Sequence, residues 1–203
     1  MENIQFQLGL ITSGGDWMLR MFRKFFLALT IALSGCALAS GEIVGHLKLI
    51  DDLDRPHDGY CLDIVGSGRH IRFDLPLTAH NCKPGLYPDE AVVVENRRIR
   101  FPAYGVCATV AGLNGRALPG AAVVPRACGE RTPFMEADKL QRFSFRSDGR
   151  IELEGSSLCL TVGENSDSTF DPAHRWRTLF VDHCERTEPA RSRWKFSPVQ
   201  HVP

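Results

Sequence analysis

Gly59-Tyr60-Cys61-Leu62-Asp63-Ile64 is one of three stretches in this chain built alike. Gly105-Val106-Cys107-Ala108-Thr109-Val110 and Ser157-Leu158-Cys159-Leu160-Thr161-Val162 repeat its small residue, its cysteine and its closing aliphatic in step. Behind each of these cysteines stands a second one: Cys82 after 21 residues, Cys128 after 21 and Cys184 after 25. The first cysteines recur after 46 and then 52 residues. Other positions keep the register. Eight residues before each first cysteine is an aliphatic: Leu53, Ile99 or Ile151. Before each second cysteine runs a short apolar stretch: Leu75-Pro76-Leu77, Ala121-Ala122-Val123-Val124 or Leu179-Phe180-Val181. Agreement at this many positions marks a threefold internal repeat.

Six cysteines permit many pairings, and the repeat favours one of them, a bridge inside each unit: Cys61 to Cys82, Cys107 to Cys128, Cys159 to Cys184. Zinc is the rival fate, but no C-x-x-C or close Cys/His pair supplies its ligand spacing. The local sequence reads as β. The cysteine runs are rich in β-branched residues. Phe143-Ser144-Phe145-Arg146-Ser147-Asp148-Gly149-Arg150-Ile151-Glu152-Leu153 alternates apolar and polar residues about an Asp-Gly turn, a hairpin signal. Residues 92–101 offer the same hairpin with Asn96 at the turn. Beyond residue 42 no apolar helical period lasts three turns. The fold class expected is all-β.

With 43% apolar and 24% charged residues, the chain has a globular composition. Its formal net charge is zero. Without residues 1–39, the 24 basic and 24 acidic residues fall by three and two, leaving a net charge of −1. A near-neutral surface gives no electrostatic reason to expect nucleic acid or a polybasic membrane contact.

The repeat resembles that of the ricin B-type lectin domain. The family's unit reads roughly Gly-x-Cys-Leu-Asp-Val, a strand ending in a second cysteine, then Gln-x-Trp and a Gly-x-Ile hairpin. Here these elements appear as Gly59 to Ile64 quoted above, as Leu140-Gln141-Arg142-Phe143 with Gly149-Arg150-Ile151, and as Ser192-Arg193-Trp194-Lys195-Phe196. The resemblance covers about residues 43–199 and implies a β-trefoil of three repeats of about 45–50 residues. The Gln-x-Trp step is degenerate, being Glu90-Ala91-Val92, Gln141-Arg142-Phe143 and Ser192-Arg193-Trp194. Phe143 and Trp194 are expected in the core.

The resemblance also implies where a sugar would sit. A carboxylate beside the first cysteine accepts bonds from neighbouring hydroxyls, an aromatic two residues before the second cysteine stacks on the sugar, and an amide completes the set. Repeat one fits best, and its candidate sugar-binding residues are Asp63, Thr78, His80, Asp89 and Glu90. Asp89 and Glu90 depart from the family's asparagine and glutamine, adding acceptors and no donors. That chemistry suits a cationic, amino or metal-assisted ligand. The bland reading of Asp63 is a turn-capping carboxylate. Repeats two and three carry Thr109 and Thr161 for the aspartate and Arg126 and Asp182 for the aromatic, so neither is expected to bind sugar.

The seven histidines form no H-E-x-x-H, and no G-x-S-x-G elbow or P-loop is present. The sequence therefore gives no catalytic residue, cofactor or metal. Residues 54–58 read as a polar surface turn, and residues 163–176 as the longest insertion, ending in Trp176 as core plug or exposed contact. The reading that results is an exported, non-enzymatic carbohydrate- or glycoconjugate-binding trefoil. The alternative is a protein-interaction or targeting subunit of a secreted assembly. A trefoil protease inhibitor ranks last.

Met18-Leu19-Arg20-Met21-Phe22-Arg23-Lys24 is a basic segment, and residues 25–33 an apolar core too short to span a bilayer, which takes roughly 20 residues. Residues 18–39 are expected to be a bacterial-type signal peptide, with 1–17 an over-long start. Leu33-Ser34-Gly35-Cys36 matches a lipobox, whereas Ala37-Leu38-Ala39 matches ordinary signal cleavage. Lipidation of Cys36 would make an outer-membrane lipoprotein, the one membrane contact envisaged; cleavage after Ala39 would free the protein to the periplasm or medium. The short tether between Cys36 and the first strand, expected near Ile43, tips the expectation to cleavage. Metabolic labelling with a palmitate analogue should leave the protein unlabelled; label that disappears in Cys36→Ala would reverse this.

Overall fold

The three cysteine runs are strands, each zipped to the strand that carries or precedes its partner cysteine. They are described by a computed structural model covering residues 42–134, 136–169 and 171–199. The signal segment and Cys36 lie outside the described residues. In chain order the strands of repeat one are β1 (Gly45–Leu49), β2 (Tyr60–Asp63), β3 (Thr78–Asn81) and β4 (Val93–Glu95). Repeat two holds β5 (Arg98–Phe101), β6 (Val106–Val110), the two-residue strands β7 (Gly112–Leu113) and β8 (Arg116–Ala117), β9 (Val123–Ala127) and β10 (Phe143–Phe145). Repeat three holds β11 (Ile151–Leu153), β12 (Leu158–Val162), β13 (Asp167–Ser168), β14 (Arg175–His183) and β15 (Trp194–Pro198). The α-helices among the described residues are single turns, α1 (Ala137–Leu140) and α2 (Pro189–Ser192).

Pairing follows the repeat. β2 pairs with β3, β6 with β9 and β12 with β14, all antiparallel, and each pair is closed by a disulfide: Cys61–Cys82, Cys107–Cys128 and Cys159–Cys184. Consecutive repeats are joined by hairpins β4–β5 and β10–β11, and β15 returns to pair with β1. Within each repeat the fourth strand bonds the first: Val92 with Gly45, Phe143 N with Arg97 O, Trp194 N with Gly149 O. The first hairpin turns through Asn96 and Arg97, both at positive φ (48° and 62°), the geometry of a tight two-residue hairpin.

All three repeats feed one core, from matching positions. Leu47, Ile99 and Ile151 on the first strands, Leu62, Ala108 and Leu160 beside the cysteines, Leu77, Val123 and Leu179 on or just before the third strands, and Val92, Phe143 and Trp194 on or just before the fourth are all buried. Trp194 also donates its ring N–H to the Leu160 carbonyl at 3.1 Å. At about 25 cal/mol per Å² of apolar surface removed from water, one repeat alone has too little to cover. The residue two before each first cysteine, Gly59, Gly105 or Ser157, sits at φ near +60° (64°, 65°, 57°). That left-handed bend explains the small residues of the sequence pattern.

One register needs correction. Leu53 is not the counterpart of Ile99 and Ile151. Lys48 pairs with Cys61, whereas Arg100 pairs with Cys107 and Glu152 with Cys159. The loop of repeat one is therefore six residues longer, Leu47 fills the core position, and Leu53 lies in a turn at φ 53°. Loop length is invisible to a count that begins at the cysteine.

The insertion of repeat three is clamped to repeat one through Asp54. Arg177 Nη2 donates to Asp54 Oδ1 at 2.6 Å, Tyr60 OH to the same oxygen at 2.9 Å, and Ser166 to Oδ2 at 2.6 Å. The Arg177 guanidinium lies 5.0 Å from the centre of the Tyr60 ring, a cation–π distance. Residues 54–58 are thus not a bare surface turn: Asp58 also accepts from Asn81 and pairs with Arg55. Burial alone would raise the Asp54 carboxyl, but the bonds from Ser166, Arg177 and Tyr60 outweigh it and hold it well below the usual carboxylate range. A lowered carboxyl pKa stabilises the fold at neutral pH and loses that contribution as pH falls below its ordinary value near 3.8. Because the Asp54 side chain is 42% exposed, Asp54→Asn is expected to cost only about 1 kcal/mol at pH 7. The gap between the two proteins in urea midpoints should shrink by pH 3; a gap that does not depend on pH would contradict this clamp.

Candidate binding site in repeat one

The candidate residues come together where β2, β3 and the turn before β4 meet. Asp63 ends β2, with Thr78 opposite it at the start of β3. His80 lies two residues along, opposite Cys61, and Asp89 and Glu90 come in from the turn. Asp63, Asp89 and Glu90 are all buried, at 4%, 1% and 0% exposure. The Cys61–Cys82 bridge holds the β2 and β3 ends together, and the Ile64 N–H to Asp89 O bond (3.0 Å) ties the turn to them.

Sequence reasoning missed the residue that organises these carboxylates. Lys83, next to Cys82, turns its ammonium inward to Asp63 Oδ2 at 3.0 Å, to Asp89 in a short hydrogen bond, and to Glu90 Oε1 at 3.7 Å. Its backbone N–H donates to Glu90 Oε2 at 3.0 Å. Burial pushes the Asp63 carboxyl well above its usual value; the Lys83 charge pulls it down, and Glu90 and Asp89 push it up again. Burial would lower Lys83, but the carboxylates around it win and raise it. The turn-cap reading of Asp63 does not describe this geometry: its bonded partner is the lysine, and Oδ1 has none.

His80 is only 12% exposed in its side chain. Nδ1 bonds the Asn81 carbonyl at 2.9 Å, and the ring of His174 lies 5.5 Å away, tilted by 41°. Trp176, half-buried, pairs with His80 in the β14–β3 ladder. The insertion thus covers the ring that would serve as a platform. The accessible aromatics are others. Tyr87 is 48% exposed with its ring centre 5.8 Å from Lys83 Nζ. Tyr104, from repeat two, is partly buried against the core and feels Asp89 and Asp63: burial first, then those charges, raise its phenol. Phe73 meets Tyr104 edge-on at 5.4 Å. No local signal tied Tyr104 or Phe73 to Asp63, because they lie on other loops.

Repeats two and three use the equivalent positions internally. Gln141 donates to Thr109 Oγ1 at 2.9 Å and to the Ala127 carbonyl at 3.0 Å, and accepts from Gly129 N at 2.7 Å. Thr161 donates to the Arg191 carbonyl at 3.1 Å, and Ser192 to Glu188 O at 2.8 Å. Among the described residues, the cluster of two carboxylates and an imidazole close enough to share a ligand is the one in repeat one.

An agglutinin from Abrus precatorius superposes on the chain with a TM-score of 0.53 at 19% identity, over 79% of this chain and 51% of that one. The chain thus spans about half the length of the agglutinin chain. The mdaA-1 domain, solved in solution, superposes with a TM-score of 0.51 at 17% identity, over 78% and 91%. The fold is a β-trefoil. The β-trefoil lectin of the Vibrio vulnificus hemolysin/cytolysin, solved with N-acetyl-D-lactosamine bound, aligns at a TM-score of 0.49 and 16% identity, over 79% and 98%. No protein-family model matches the sequence, and a search of curated proteins gives no match.

Removing the ammonium would leave three buried carboxylates facing each other. Lys83→Ala is expected to destabilise the trefoil by about 3 kcal/mol, measured by urea unfolding in the presence of a chelator. A loss below about 0.5 kcal/mol would mean that the carboxylates are held by something else.

Proposed function

We propose that the protein binds carbohydrate through repeat one. One observation carries the reading: the charged cluster of Asp63, Asp89 and Lys83 lies beside the exposed ring of Tyr87, 5.8 Å from the Lys83 ammonium. A sugar offers hydroxyls that give and take hydrogen bonds and a C–H face that packs on flat rings. Lys83 supplies the donors that the exchange of the family's amides for Asp89 and Glu90 removed. The shared fold with an agglutinin supports the same reading. In this arrangement the stacking role passes from His80 to Tyr87 or Tyr104, while Asp63, Asp89 and Glu90 hold Lys83 in place. Thr78 stands opposite Asp63 in the β2–β3 ladder. The role is binding, with no catalytic step.

Export belongs to the same proposal. Three disulfides suit an oxidising compartment, and the expected signal at residues 18–39 would deliver the chain there. The alternative partner is another protein subunit of a secreted assembly.

A glycan array separates the two. The protein should label a defined subset of glycans, and Tyr87→Ala, an exposed change that spares the core, should weaken labelling at least tenfold. Lys83→Ala and Asp63→Ala should abolish it. Absence of any signal at millimolar soluble sugar would overturn the lectin reading and favour the protein partner.

A further inference from the structure

Repeats one and two differ at one buried atom, and the difference changes what the pocket needs. The backbone N–H after the second cysteine anchors Gln141 in repeat two and Glu90 in repeat one in the same way. In repeat two the other end of the side chain is an NH₂ that gives its two protons to Thr109 and to the Ala127 carbonyl. In repeat one that end is Glu90 Oε1, which as a carboxylate oxygen accepts only. It is fully buried and has no hydrogen-bond partner, and Asp63 Oδ1 is likewise buried without one. The Asn81 carbonyl, matching Ala127, has found a different donor in His80 Nδ1. A row of donors has become a row of acceptors.

An oxygen of Asp63, an oxygen of Glu90 and a ring nitrogen of His80 all lie within 4.8 Å of one another. His80 Nδ1 is 3.8 Å from Asp63 Oδ2 and 3.8 Å from Glu90 Oε1. Formally, three carboxylates (Asp63, Asp89, Glu90) face one ammonium, Lys83, leaving negative charge in excess in a buried place. We propose that Asp63, His80 and Glu90 form a binding site for a divalent zinc-class ion, with the Lys83 ammonium as the competing resident cation. One imidazole and two carboxylates, with a fourth position left for water, suit zinc; calcium and magnesium prefer six or more oxygens. Ligands around zinc sit about 3.3 Å apart, given bonds of about 2.0–2.1 Å, so the two 3.8 Å spacings to His80 need to close by roughly half an ångström and the Asp63–Glu90 spacing, within 4.8 Å, by up to roughly 1.5 Å.

Entry of the ion displaces Lys83 from Asp63 and Glu90. The lysine keeps Asp89 and gains the Tyr87 ring, already 5.8 Å from Nζ. Ligation through Nδ1 moves the ring proton to Nε2, so the imidazole stays neutral and the Asn81 carbonyl gives up its donor. His46, whose Nε2 is 3.8 Å from Glu90 Oε2 and lacks a hydrogen-bond partner, lies just behind the set. The spacing of 17 and 10 residues between Asp63, His80 and Glu90 matches no metal motif, so sequence alone gave no zinc site.

Competition makes the test one of gained affinity, which misfolding cannot imitate. Zinc titrations of the tag-free, disulfide-bonded protein are run by calorimetry without any sugar, so the outcome is independent of the carbohydrate reading. Wild type should bind one zinc ion, and His80→Gln should weaken binding at least tenfold. Lys83→Met should bind at least tenfold more tightly than wild type, and zinc should raise its melting temperature more than it raises that of wild type. The double variant Lys83→Met/His80→Gln should lose the gain, and calcium should show no saturable binding. Zinc affinity that is absent, or that ignores both Lys83→Met and His80→Gln, overturns the proposal. In the second case the ion sits on other histidines.

Discussion

No single repeat of this chain can cover its own apolar face, and the rest of the structure follows from that shortage. Three units must turn Leu47, Ile99 and Ile151, and Val92, Phe143 and Trp194, toward one shared centre. The return of β15 to β1 is the step that completes it. The disulfides reinforce the outer hairpins by limiting the unfolded chain, but the packing in the centre is what requires three copies.

Because the core is shared, the polar position next to it is repeated too, and it is buried in every copy. Gln141, Glu90 and Ser192 are each inaccessible to water, so each must satisfy its polar atoms from within. Gln141 does so with neighbouring backbone and Thr109; Ser192 does so with the α2 turn. Glu90 cannot, because Asp63 and Asp89 beside it are acceptors as well. The lysine at position 83 is the cation that makes those three acidic residues compatible with burial. The charged site in repeat one therefore goes with Glu90 standing where repeat two has Gln141 and repeat three Ser192, both neutral side chains.

The insertion of repeat three adds a second asymmetry. Arg177, 6% exposed, ties it to Asp54 and Tyr60, and this seats His174 against His80. The ring to which the family resemblance gives sugar stacking is thereby covered, and exposed aromatic surface lies instead at Tyr87 and Phe73. A clamp over 100 residues long in sequence decides which rings meet solvent.

The cysteine spacing by itself determined the threefold architecture, the disulfide pairing and most of the core, because these are periodic and local: alternation along a strand, a left-handed residue before a cysteine, a hairpin at Asn96. Even there, Leu53 keeps the spacing of Ile99 and Ile151 without being their structural counterpart, since a count from the cysteine does not see a longer loop. Asp63, His80, Asp89 and Glu90 were legible as neighbours through the positions that the family resemblance implies for them. Only the tertiary structure decided what they do. Lys83 has a long, flexible side chain whose direction is set by charges brought from two other segments. Tyr104 and His174 arrive from other repeats, and burial at Glu90 depends on the whole core behind it. Such contacts carry no period along the chain, so the order of residues holds them without showing them.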